Sequence, residues 1–158
     1  MVRAALIAHV ITERSVMSTV VQPEQLLEGW LQRLSELIDQ IECWARDLDW
    51  STRRIEVKLS DSEVGRYQAP ALLMQEGALK VLLEPIARSA PGAEGVVDLY
   101  LMPAYDDIAS LYLSGEEWHL HYMFPDSPTV GNIRAAEGVL LTNDSFRNVL
   151  EAMKKNAI

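Results

Sequence analysis

The spacing of apolar residues along this chain changes once, near Trp50. Before Trp50, apolar residues recur every three or four positions from Leu27 to Leu48, with charged and amide side chains between them. This period predicts one amphipathic helix of about 24–26 residues. The helix should begin at Pro23, because the first helical turn accepts a residue that has no N–H to donate.

After Trp50 the period falls to two. Apolar and charged residues alternate from Ile55 to Leu59, a pattern that is typical of a strand with one solvated face. Turn-forming residues then separate further apolar runs, which predicts five or six consecutive strands. Pro85 predicts an edge, a bulge or an end in its strand, since it cannot donate to a neighbour. The most aromatic part is Val96–Phe124, with four of the five tyrosines.

The C-terminal part of the chain is predicted to be a loop followed by a helix. Residues 125–138 hold two prolines and two glycines and have no period, whereas Phe146–Lys155 repeats apolar residues at helical spacing. The fold class is therefore α+β: a long N-terminal helix packed across a five- or six-stranded antiparallel meander, with a short C-terminal helix, in two layers. We assign residues 22–158 to this single domain and residues 1–21 to a flexible N-terminal extension, with Met17 as an alternative start.

The charge and the cysteine content indicate the class of partner and the compartment. The chain carries 14 Lys and Arg against 23 Asp and Glu, a formal net charge of -9. This charge disfavours nucleic acid as a partner, because phosphates are bound mainly by basic residues. Cys43 is the single cysteine; it is predicted to be mostly buried in the helix, and it favours the cytoplasm. No apolar run reaches the roughly 18 residues of a membrane span.

We predict a non-enzymatic protein-interaction module, comparable in size and charge to immunity, antitoxin or adaptor proteins, with a protein as its partner and no cofactor. The chain has no glycine-rich nucleotide motif and no Gly-x-Ser-x-Gly elbow. Because two helices would leave part of the apolar sheet face uncovered, we also expect self-association into a homo-oligomer. The predicted binding surface combines aromatic and acidic residues of the kind found at interfaces: Asp98, Tyr100, Tyr105, Asp106, Asp107 and Tyr112.

Two histidines suggest an alternative, a metal-dependent hydrolase. His119 and His121 lie two apart on a predicted strand, so both imidazoles should point to one face, as two ligands of one metal would. A further ligand would come from Asp98 or from the adjacent carboxylates Asp106 and Asp107.

A second enzymatic alternative rests on Glu56 and Lys58. These residues resemble the E-x-K half of the PD-(D/E)xK nuclease motif, and the resemblance covers the four residues Ile55–Lys58. The resemblance implies that Glu56 would bind Mg²⁺ and that Lys58 would stabilise the attacking water or the transition state. The family's other metal-binding aspartate usually lies on a preceding strand, whereas the nearest residues here, Asp47 and Asp49, end the predicted helix.

Overall fold

The computed structural model describes residues 21–124 and 138–157. Within these ranges the chain forms helix α1, seven strands and helix α2, so the predicted α+β fold is confirmed, with one strand more than five or six. The predicted N-terminal extension lies outside the described residues up to position 20, as does the predicted loop at 125–137. The elements are α1 Pro23–Asp47, β1 Ser51–Asp61, β2 Gly65–Glu76, β3 Leu79–Ala87, β4 Gly95–Met102, β5 Asp106–Ser114, β6 Glu117–His121, β7 Val139–Leu140 and α2 Asn143–Asn156.

Helix α1 begins and ends where the sequence predicts. Pro23 opens its first turn after Gln22, whose backbone is extended. Its stripe of buried residues has the predicted spacing of three and four: Trp30, Leu34, Leu37, Ile38, Ile41 and Ala45. Cys43 is exposed, so its predicted burial is wrong. The physical reason is the helical period, since two residues correspond to about 200° of rotation and turn Cys43 away from the stripe.

The seven strands form one antiparallel sheet in the order of the chain, a meander. Along β4 and β5, alternate residues are buried. Buried residues of the central strands belong to the same core as the apolar stripes of both helices. We call this the inner face of the sheet. It includes Leu72, Val81, Leu83, Val97, Leu99, Ala109, Leu111 and Leu120. Helix α2 begins with a capping box in which the Thr142 hydroxyl accepts from the backbone N–H of Ser145, 3.1 Å away.

The hairpin of β1 and β2 separates from the rest of the sheet beyond Leu72. The β2–β3 ladder stops at the pair of Leu72 and Leu83, and two positions further along the same register Pro70 would face Pro85. Neither proline has an N–H, so the ladder cannot continue there. Pro85 also borders a register shift between β3 and β4. Of the edge, bulge or strand end predicted for Pro85, the bulge is therefore confirmed.

The separated part of the hairpin is held at two points. At the first, Trp30 of α1 donates its indole N–H to the Tyr67 hydroxyl of β2 at 3.1 Å. At the second, Arg88 binds Asp61 at the end of β1, with Nε to Oδ2 at 3.0 Å and Nη2 to Oδ1 at 3.3 Å. These two side chains are only 12% and 13% exposed, so the ion pair is largely desolvated.

Candidate functional site

The sheet face opposite the inner face carries most of the predicted site residues. We call it the outer face. It is made by the residues that alternate with the core residues along β3 to β6. Its members are Leu82, Glu84, Val96, Asp98, Tyr100, Ile108, Ser110, Tyr112, His119 and His121.

A row of four polar residues crosses the middle of the outer face. The strand register sets Glu84 opposite Asp98, Asp98 opposite Ser110, and Ser110 opposite His121. Residues directly opposite each other in antiparallel strands have Cβ atoms about 4.5–5.5 Å apart, so each member lies beside the next. We call Glu84, Asp98, Ser110 and His121 the polar row. The sequence indicates Asp98 and His121 as site residues, but it gives no signal for Glu84 or Ser110.

Asp98 is the centre of the hydrogen bonds in the polar row. Its Oδ1 accepts from the Ser110 hydroxyl at 2.8 Å, and its Oδ2 accepts from the Tyr100 hydroxyl at 3.1 Å. Burial, followed by the nearby Asp98 charge, raises the pKa of Tyr100 far above its ordinary value. Tyr100 therefore remains a protonated donor, and it orients the Asp98 carboxylate.

Glu84 has an acidic neighbour and no described basic one. Burial, followed by the charge of Asp98, raises the pKa of the Glu84 carboxyl. The ion pairs found in residues 21–124 and 138–157 include neither acid. A carboxyl whose pKa is raised by folding stabilises the fold at low pH, and this contribution is lost as the pH rises through the raised value. Ionisation of Glu84 is therefore opposed first by its burial and then by the charge of Asp98.

Aromatic rings flank the polar row on both sides. On one side Tyr105 packs edge-on against Tyr100, with ring centroids 5.4 Å apart. On the other side Tyr112 stacks on His119, with centroids 5.3 Å apart and the planes inclined by 16°. Several large side chains near these rings remain solvent-exposed, among them Tyr105 at 52% and Ile108 at 51%. The surface around the acids is therefore aromatic and apolar.

The two histidines share the outer face, as their spacing predicts, but they occupy different rows. His119 faces Tyr112, and His121 faces Ser110. Among the described residues, no group of three or more His, Cys, Asp or Glu side chains could hold a metal ion. The described residues therefore supply no third ligand for a metal at His119 and His121, and this metal site stays a prediction.

The order of the polar row differs from that of a catalytic triad. The triad needs a histidine that accepts from the serine and is itself held by the aspartate. Here Ser110 lies between the other two residues and donates to Asp98 directly. The Nε2 atom of His121 is buried and has no hydrogen-bond partner in the part of the chain that the structure describes. Among the described residues, these contacts orient the Asp98 carboxylate and do not reproduce the order of a triad.

Asp106 and Asp107 have local structural roles. Asp107 has a positive φ of 52°, and its carboxylate accepts from Tyr122 at 2.7 Å and from Asn156, the last residue of α2, at 3.0 Å. Asp106 accepts the backbone N–H of Asp107 at 2.8 Å. Of the predicted binding surface, the structure thus brings together Asp98, Tyr100, Tyr105 and Tyr112, while Asp107 points towards α2.

The E-x-K pair lies away from the outer-face residues. Glu56 and Lys58 are both exposed on β1, where they face Pro70 and Gln68 of β2. Asp47 ends α1 and Asp49 follows it, and both are exposed. Since the described residues contain no cluster of metal ligands, the Mg²⁺ site implied by the resemblance stays a prediction.

Comparison with protein-family models, with curated proteins and with solved structures found no match to this chain. Neither α1 nor α2, the two helices of the described ranges, is long and apolar enough to cross a membrane.

Proposed function

We propose that this chain is a non-enzymatic binding protein that holds a basic segment of a partner protein on its outer face. The observation that carries the proposal is the Glu84–Asp98 pair, which has no basic partner among the described residues and lies between exposed aromatic and apolar side chains. A lysine or arginine of the partner would neutralise this pair and relieve its repulsion.

The rest of the outer face suits the same partner. Tyr100 holds the Asp98 carboxylate in place, so this side chain loses less conformational entropy when a partner binds. Tyr105 is exposed and offers a ring on which a basic side chain can stack. Tyrosine is also enriched among the residues that contribute most to interface affinity. The net charge of -9 would accelerate the encounter with a basic protein.

The comparison with immunity, antitoxin and adaptor proteins rests on size and charge, and it is an analogy. We propose the cytoplasm as the compartment, because the chain has one cysteine, Cys43, which has no intramolecular disulfide partner.

The proposal predicts which substitutions abolish capture of the partner. Tagged wild-type protein, made in its native cells, should retain a basic protein. Asp98→Asn should weaken retention about tenfold or more, because a charge-assisted contact becomes a neutral one. Ile108→Lys should do the same by repelling the partner, and since Ile108 is half-exposed, this change should leave the fold intact. Bound protein would be quantified by mass spectrometry, and circular dichroism would verify folding.

Glu28→Lys is the control, since it adds a positive charge at an exposed position of α1. The control should retain the partner as the wild type does. Equal retention by all variants, loss in the control alone, or retention of only nucleic acid would overturn the proposal.

A further inference from the structure

Among the strands that the structure describes, β1 is an edge of the sheet. It pairs with β2 along its whole length of 11 residues, and it ends the strand order, so no described strand pairs with its other side. Unpaired N–H and C=O groups along such an edge are a template for another strand. On β1, Glu56 and Lys58 carry opposite charges and alternate with Val57 and Leu59, which pack against the core. The third charged residue, Arg54, lies against α1.

We infer that two copies of this chain pair through β1, antiparallel, about a two-fold axis at Val57. An axis perpendicular to the sheet keeps the helices of both copies on one side, so residues of the same face oppose each other. With the axis at Val57, Glu56 of each copy faces Lys58 of the other, which gives two ion pairs. Ile55 then faces Leu59, which gives two apolar pairs.

The alternating charges exclude the neighbouring registers. An axis at Glu56 would oppose the two copies of Glu56, and would also oppose Arg54 to Lys58. An axis at Lys58 would oppose the two lysines. Like charges directly opposite each other destabilise a pair of strands, so these registers are disfavoured.

An axis at Ile55 also places opposite charges together, since Arg54 would face Glu56. The Arg54 guanidinium is already bound within its own chain, however, by Asp39 at 2.5 Å and by Glu42 at 3.0 Å. The register at Val57 leaves both of these ion pairs intact. It also gives a role to the two charged residues that resemble the nuclease motif.

This dimer is independent of the proposed function, because it uses the edge of β1 and leaves the outer face of β3 to β6 open. The two inferences can therefore fail separately. A variant of β1 that is monomeric should still retain the partner.

Sedimentation equilibrium of the untagged chain, over a range from low micromolar to millimolar concentration, tests the dimer. The wild type should approach twice the monomer mass as its concentration rises. Glu56→Lys and Lys58→Glu, each alone, should raise the dissociation constant about tenfold or more, because each turns two attractive pairs into two repulsive ones. The double variant Glu56→Lys/Lys58→Glu restores both pairs with reversed signs, so its dissociation constant should return to that of the wild type.

Glu28→Lys is again the control, because it changes the net charge as Glu56→Lys does without touching β1. It should leave the dissociation constant unchanged. A wild type that is monomeric at every concentration would overturn the dimer. So would single variants that dimerise normally, or a double variant that is no better than either single one. If Glu56→Lys alone weakens the dimer, the axis lies at Ile55 and the register proposed here is wrong.

Discussion

Replacing Trp30 with alanine should lower the free energy of unfolding by about 3–5 kcal/mol, as is usual for a large aromatic residue removed from a core. Trp30 is 4% exposed and joins three parts of the fold. Its indole packs near Trp118 of β6, with ring centroids 6.3 Å apart, and its N–H binds Tyr67 of β2. Gly95 of β4 lies so close that a Cβ on it would be 2.3 Å from the Trp30 ring. Alanine would leave a cavity where α1, the hairpin and the sheet meet.

Urea denaturation of the wild type and of Trp30→Ala would measure this loss. Tyr67→Phe is the matched control, since it removes only the hydroxyl that accepts the indole N–H. It should cost about 0.5–1.5 kcal/mol, the usual net value of one hydrogen bond. If Trp30→Ala cost no more than Tyr67→Phe, the packing described for Trp30 would be incorrect.

Replacing Arg88 with methionine should cost about 2–3 kcal/mol at pH 7, somewhat less than the 3–5 kcal/mol of a fully buried ion pair. The substitution leaves Asp61 largely buried without its guanidinium, although the carboxylate keeps the backbone N–H groups of Glu63 and Val64 at 2.7 and 3.1 Å. Arg66→Met is the control, because Arg66 is exposed on the same hairpin. The control should change the free energy of unfolding by at most about 0.5 kcal/mol, as surface substitutions usually do.

The Arg88 effect should depend on pH. Burial alone would raise the pKa of Asp61, but the hydrogen bonds from Arg88 and from the two backbone N–H groups outweigh it and lower the pKa. A carboxyl whose pKa is lowered by folding stabilises the fold at pH values above its pKa in the unfolded chain, about 4. This stabilisation is lost as the pH falls through the pKa of the carboxyl in the folded chain. The difference between wild type and Arg88→Met should therefore shrink between pH 5 and pH 3, in urea titrations at each pH. A difference that is constant or that grows over this range would contradict the role assigned to the ion pair.

The two helices and the change to strands could be predicted from the sequence because their signals are local. The period of α1 and the alternation from Ile55 to Leu59 each lie within one element, and the capping residues of α2 directly precede it. The order of the strands followed as well, since short turns leave consecutive strands little choice but to pair. β7 was missed because the two residues Val139–Leu140 are too short to show a period.

The polar row could not be predicted, because it depends on register across four strands. The register of β3 on β4 shifts between Pro85 and Ala87, and that of β4 on β5 shifts between Leu99 and Leu101. If the pairing of Ala87 with Val96 continued along β3 without the shift at Pro85, Glu84 would lie opposite Leu99. Glu84 would then point to the inner face of the sheet. Pro85 predicts a bulge here, but it does not determine the direction in which the register shifts.

Asp106 and Asp107 show a second limit of the sequence. Adjacent carboxylates before a strand resemble a binding site when only their order is known. The structure separates them, since Asp107 has its positive φ within β5, where the register of β5 on β4 shifts, and its side chain binds Tyr122 and Asn156. Which face a residue takes at such a shift depends on backbone angles, and residue type only weakly constrains these.

Binding of a basic partner to the outer face is tested most directly by site-specific photo-crosslinking in the native cells. A photoreactive phenylalanine analogue would replace Ile108 on the outer face or, as the control, Gln40 on the exposed side of α1. We predict a crosslink to one basic protein from position 108 and none from position 40. A crosslink to that protein from position 40 alone, or no crosslink from position 108, would contradict the claim.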